Sequence, residues 1–128
     1  MINVAVLGFG TVGSGVVEII NNKDFSPKTG KDINVKKVLD IRTFDDSPYK
    51  DLITSDFESI LNDDEITVVC ETMGGTNPAY DFTKRSLLAG KSVVTSNKEL
   101  VATHGTELLQ IAKEKGVCYM FEASVGGG

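Results

Sequence analysis

The chain has 128 residues, a formal charge of −5, and 41% hydrophobic against 24% charged residues. That length holds one domain with a real core and no second unit of ordinary size, and so ordinary a composition excludes a disordered or fibrous chain. An acidic balance without a Lys/Arg stripe argues against nucleic acid or an anionic membrane as partner; with no apolar run of roughly 18–20 residues and no signal-peptide pattern, a cytoplasmic location is expected.

Ile2–Leu7 (INVAVL) reads as a first strand. Gly8-Phe9-Gly10-Thr11-Val12-Gly13 follows at once and matches GxGxxG in the context that confirms it, with a strand before and a helix after. Gly8 permits the tight turn, Gly10 lets a pyrophosphate reach the backbone, and Gly13 lets helix pack on strand. The anion would sit on the exposed amides that open the helix. That helix is read over Val12–Asn22, with Val12, Val16, Ile19 and Ile20 on one face. Lys23–Asp32, polar with Pro27 and Gly30, reads as a surface loop.

Val35–Ile41 is the second strand, and at its end Asp40 and Arg42 share one side of an extended chain. At this position an acid suits a free ribose 2′-hydroxyl and an arginine suits a 2′-phosphate. The signal is divided; the reading leans to NADP, with NAD as the alternative. Phe44–Tyr49 reads as a surface loop and Phe57–Leu61 as a short helix, before a third strand over Ile66–Thr72. The latter ends in Thr72-Met73-Gly74-Gly75, whose glycines allow a cofactor to approach the backbone.

Asn77-Pro78 has the form of an N-cap with proline in the first helical position, opening a helix that runs to Ala89 and stops at Gly90. Ser92–Thr95 is the fourth strand. Ser96-Asn97-Lys98 then leads into a helix over Leu100–Lys115, read as interrupted near Gly105 and closed by Gly116. A lysine in a first helical turn faces the positive end of the dipole at a cost of a few tenths of a kcal/mol. Nearby positive charge favours its neutral amine, which suits proton transfer or a substrate contact; the competing reading is a solvated surface lysine. His104, the sole histidine, offers little chemistry beside Gly105. Val117–Phe121 is the fifth strand, and Glu122 follows it ahead of a glycine run whose carbonyls, with the carboxylate, suit a hard monovalent cation. Cys70 and Cys118 have neither CxxC nor Cys/His spacing and read as small buried hydrophobes.

Five strands joined through helices predict a parallel sheet with helices on both faces, an α/β doubly wound domain of Rossmann type spanning 1–128. The carboxyl ends of such strands hold ligands, so the terminal glycine run is expected in the active crevice.

Together these motifs resemble the nucleotide-binding half of homoserine dehydrogenase, over essentially the whole chain. The resemblance is carried by VAVLGFGTVGSGV near the start, TMGG after the third strand, AGKSVVTSNKELVA at 89–102 and FEASVGGG at the end. It implies NAD(P)-dependent interconversion of L-homoserine and L-aspartate 4-semialdehyde, on the route to threonine, methionine and isoleucine. It also implies that residues Phe9 to Gly13 bind the cofactor and Arg42 its 2′-phosphate. Lys98 matches the lysine of the family's NK motif, near the nicotinamide and implicated in catalysis. Glu122, with the carbonyls of Val125 and Gly127, matches a sodium site. Family members continue into a catalytic and dimerisation domain, so substrate contacts and homo-oligomerisation are expected only of the full-length enzyme. For these 128 residues the expectation is cofactor binding without turnover. Two alternatives stand beside it: a stand-alone, non-catalytic NAD(P)-binding or sensing module, and an aldehyde-acting dehydrogenase with Cys70 as nucleophile.

Overall fold

The computed structural model describes residues 2–21, 33–42 and 44–121. Among the described residues the elements in chain order are β1 (Ile2–Leu7), α1 (Thr11–Asn21), β2 (Ile33–Leu39), β3 (Ile53–Thr54), α2 (Phe57–Leu61), β4 (Ile66–Glu71), α3 (Ala79–Leu88), β5 (Ser92–Thr95), α4 (Lys98–Lys115) and β6 (Tyr119–Phe121), with a 3-10 turn at Lys50–Leu52. The strands form one sheet in the order β3-β2-β1-β4-β5-β6, and every pairing is parallel. Connections leave β1 in both directions, so the order reverses between β1 and β4, where a doubly wound sheet opens its crevice.

β1 is apolar at nearly every position because both of its faces are covered. Ala5 and Leu7 join a core with Phe57 and Ile60 of α2, Leu87 of α3, and Leu100 and Leu108 of α4. Val4 and Val6 join a second core with Val17 of α1 and Val35 and Val38 of β2. Helices therefore lie on both faces, as expected.

Among the described residues the sheet has six strands rather than five. The additional strand, β3, has only two residues, pairing Ile53 with Val38 and Thr54 with Leu39, too few to show any periodicity. β2 begins and ends two residues earlier than read, because Asp40 and Ile41 have already left the ladder and Ile41 is 89% exposed. The buried side of α1 also differs from the expectation. Val17 is fully buried with Val16 and Ile20 against it, whereas Val12 and Ile19 are more than half exposed.

α3 starts at Ala79 with Pro78 in the cap position and no side-chain cap, so Asn77 does not cap it. α4 runs unbroken through Gly105, which is buried, with space for a Cβ limited by Val101 at 3.1 Å. It begins at Lys98, two residues earlier than read, and closes at Gly116 as expected. Asn97 Oδ1 accepts from the Leu100 amide, and Gly116 closes the helix in the left-handed conformation at φ 71°.

Phe44–Tyr49 is not a plain surface loop. Its two aromatic ends pack edge-on against Phe9, at 5.0 Å and 6.3 Å between centroids. The Lys23–Asp32 loop lies outside the described residues.

Candidate dinucleotide site

The site begins where β1 runs out. Gly8 turns the chain at φ 96°, a region closed to most side chains, and its amide donates to the Leu39 carbonyl at 2.8 Å. A Cβ on Gly13 would lie 1.8 Å from the Gly8 carbonyl oxygen, so the third glycine of the motif is what lets α1 sit on the turn. Gly10 is different. A Cβ there meets nothing within 4 Å and would project into open space beside the first turn of α1. The first amides of that helix have no intrahelical carbonyl to bond, and Thr11 and Val12 are exposed beside them.

Phe9 serves the turn rather than standing open to a ligand. Its ring is buried, and its amide donates to Asp40 Oδ2 at 2.9 Å. Asp40, just past β2, also takes the Arg42 guanidinium in two bonds, Nε to Oδ1 at 3.0 Å and Nη2 to Oδ2 at 2.9 Å, and the Arg42 amide at 2.9 Å. The guanidinium's bonds hold the Asp40 carboxyl well below the usual range, despite its partial burial. Arg42 rests over the Phe44 ring at 5.1 Å. The pair read as alternatives thus forms one unit.

Across the crevice, the end of β4 stitches to the same turn. The Thr72 hydroxyl donates to the Leu7 and Gly8 carbonyls at 2.8 and 3.1 Å, and its amide donates to Leu7. Its side chain therefore fastens the glycine turn. Gly74 and Gly75 follow with φ of 77° and 71°. Gly8, Gly10, Asp40, Arg42, Thr72 and Met73 line one cleft of about 330 Å³. An adjoining hollow of about 250 Å³ extends past Arg42 to Lys50 and Ser55. Sequence reading missed Lys50; the only available signal was a lysine shortly after the second strand.

Ser96, Asn97 and Lys98 come together at the carboxyl end of β5. Lys98 lies in the first turn of α4, as expected, and is exposed. Asn97 is buried; its Nδ2 donates to the Gly75 carbonyl at 2.5 Å, tying the helix start to the glycine loop. Glu71, at the end of β4, is fully buried beneath both segments, and sequence reading passed over it as part of a strand.

His104 lies tilted against Tyr80, 4.1 Å between ring centroids, away from the glycine turn's lining. Burial pushes the Cys70 thiol up to about 11, which opposes a nucleophilic role; Cys118, expected to be buried, is exposed. Glu122, Val125 and Gly127 lie outside the described residues. Among the described residues no cluster of His, Cys, Asp or Glu is arranged for a metal, and no helix is long and apolar enough to cross a membrane.

A glycine turn without obstructing side chains, an open helix start and an acid–guanidinium pair at the end of β2 fit a dinucleotide laid across the switch between β1 and β4. The fold and this site define a nucleotide-binding domain of the Rossmann class.

The family described as "Homoserine dehydrogenase, NAD binding domain" matches residues 8–122, and the chain belongs to that family. Homoserine dehydrogenase of Lactococcus lactis is 40% identical over 99% of this chain and 31% of its own length. The Staphylococcus aureus homoserine dehydrogenase crystal structure at pH 7.5 superposes with a TM-score of 0.86 at 41% identity, over 99% of this chain and 33% of that one. A hyperthermophilic archaeal homoserine dehydrogenase in complex with NADPH gives 0.79 at 27% identity, over 97% and 44%. The chain thus spans about a third of the length of such relatives.

Proposed function

We propose that these residues form the cofactor-holding part of an NAD(P)-dependent oxidoreductase that interconverts L-homoserine and L-aspartate 4-semialdehyde. The observation that carries the reading is the glycine turn locked to Asp40 and Thr72 from both neighbouring strands, within a chain of this family. When bound, the nicotinamide supplies the hydride donor or acceptor. The chain's own residues then divide the work. The first amides of α1, with Gly10, Thr11, Val12 and Gly13, would take the pyrophosphate, and Met73 and Gly74 would border the cofactor. Lys98, beside Ser96, would hold or pass the proton of the reacting oxygen.

NADP is the favoured form. Arg42 stands at the ribose end with Lys50 in the adjoining hollow, giving a 2′-phosphate two cations. To reach Arg42 fully, the phosphate has to draw the guanidinium from Asp40, and a free 2′-hydroxyl donating to Asp40 is how NAD would bind instead. The proposal extends to a sodium ion at Glu122, Val125 and Gly127, since oxygen donors suit a hard cation. It also extends to homo-oligomerisation of the full-length enzyme.

Calorimetric titration tests the reading. The chain should bind NADPH, and Arg42→Ala should weaken that binding about tenfold, the worth of a charge-assisted contact, while leaving NADH affinity nearly intact. Unchanged NADPH affinity in Arg42→Ala would remove Arg42 from phosphate recognition. Homoserine oxidation at enzymatic rates by the 128 residues alone would overturn the expectation that substrate contacts lie elsewhere in the relatives' length.

A further inference from the structure

Glu71 holds a carboxylate at 0% exposure, and no ion pair among the described residues reaches it. Three groups converge on it. The Thr95 hydroxyl lies 2.5 Å from Oε1, the Met73 amide 2.8 Å from Oε2, and Asn97 Nδ2 3.4 Å from Oε2. Thr95 Oγ1 itself accepts from the Asn97 amide at 3.0 Å, so its hydrogen is free to be given to Glu71. All three groups donate, which is the bonding pattern of an ionised carboxylate.

A buried charge with no countercharge is costly. Neutral glutamine has nearly the same shape and would fill the same space, so packing alone does not explain the charge. Tyr119, whose buried hydroxyl has no partner among the described residues and is pushed up to about 12 by burial and then by the Glu71 charge, is a neutral phenol and offers Glu71 no countercharge.

The position of Glu71 supplies an explanation. It is the last residue of β4, paired with Thr95 at the end of β5, in the half of the sheet on the far side of β1 from Asp40 and Arg42. A dinucleotide with its adenosine at the end of β2 and its pyrophosphate at α1 carries its nicotinamide toward the ends of β4 and β5. The oxidised nicotinamide ring is cationic and the reduced ring is neutral. We propose that Glu71 is the buried countercharge for the oxidised ring, biasing this site toward NADP⁺ over NADPH. The inference rests on the dinucleotide reading given above. In a dry interior such a charge is poorly screened and acts beyond contact distance.

The experiment compares NADP⁺, NADPH and adenosine 2′,5′-bisphosphate as ligands of the 128-residue chain and its Glu71→Gln variant, with melting curves to confirm folding. Glu71→Gln should weaken NADP⁺ relative to NADPH by about threefold or more, with the bisphosphate unchanged. Thr95→Val, which removes a hydrogen bond but keeps the charge, should leave the NADP⁺/NADPH ratio alone. Equal weakening of both forms by Glu71→Gln would make Glu71 a purely structural brace and overturn the inference while the dinucleotide reading stands. Failure of the unaltered chain to bind any of the three ligands would overturn both. If Glu71→Gln does not fold, Glu71→Met, similar in length and also uncharged, decides: NADP⁺ weakened relative to NADPH supports the charge, and an unchanged ratio refutes it.

Discussion

Single side chains separate sharply by what surrounds them. Cys70 and Cys118 are alike in sequence, each beside an apolar run, but Cys70 is raised to about 11 by burial while Cys118 lies exposed before β6. At pH 8 a thiol titrating near 11 is roughly one part in a thousand thiolate. Iodoacetamide should therefore modify Cys118 first and leave Cys70 intact in the folded chain, with mass spectrometry of the peptides as the readout; rapid labelling of Cys70 would contradict its burial. The sequence could name Gly8 and Gly13 because their roles in the turn follow from residue type and spacing. It could not show that Phe9 gives its amide to Asp40, or that the Thr72 hydroxyl goes to backbone carbonyls, because those partners are 31 to 65 residues away.

Among the elements, the turn from β1 to α1 gives the clearest contrast, between two glycines of one motif. Gly13→Ala places a methyl 1.8 Å from a backbone oxygen that has no flexible end to yield. The expected loss is about 3 kcal/mol or more, a fall in melting temperature of roughly 10 °C or more. Gly10→Ala meets nothing and should melt within a few degrees of the unaltered chain while losing NADPH affinity. If the two variants behaved alike in both assays, the division between packing and binding would be wrong. The 3.6-residue period of α1 was legible, but its buried side was not. Val12, Val16, Ile19 and Ile20 span a broad apolar arc, and which part is covered depends on the sheet beneath. β3 was illegible for a simpler reason, since two residues carry no period.

At the scale of the whole molecule, the alternation of strands and helices was enough to give the layers and parallel pairing. The lateral order had to come from the structure, because the place where connections reverse is a property of no single segment. Acid should test how the sheet is held together. Asp40 is held below the ordinary carboxylate range by Arg42, and Asp63 is lowered chiefly by Lys36. A carboxyl lowered in the folded state contributes stability that is complete above its unfolded value near 4 and is lost as pH falls toward the folded value. Urea midpoints should thus decline from pH 5 to pH 2, and Asp40→Asn should lie below the unaltered chain at pH 7 and converge with it in acid; parallel curves at all pH values would exclude Asp40 as a source of the acid lability. The same double engagement of Asp40 limits how this domain can evolve. On the proposed reading, cofactor choice would be open to change through Arg42, which among the described residues is restrained by the carboxylate and an aromatic ring, whereas any drift at Asp40 also loosens the Phe9 amide and with it the glycine turn. Lineages that switch between phosphorylated and unphosphorylated cofactors should therefore alter position 42 first and keep the acid.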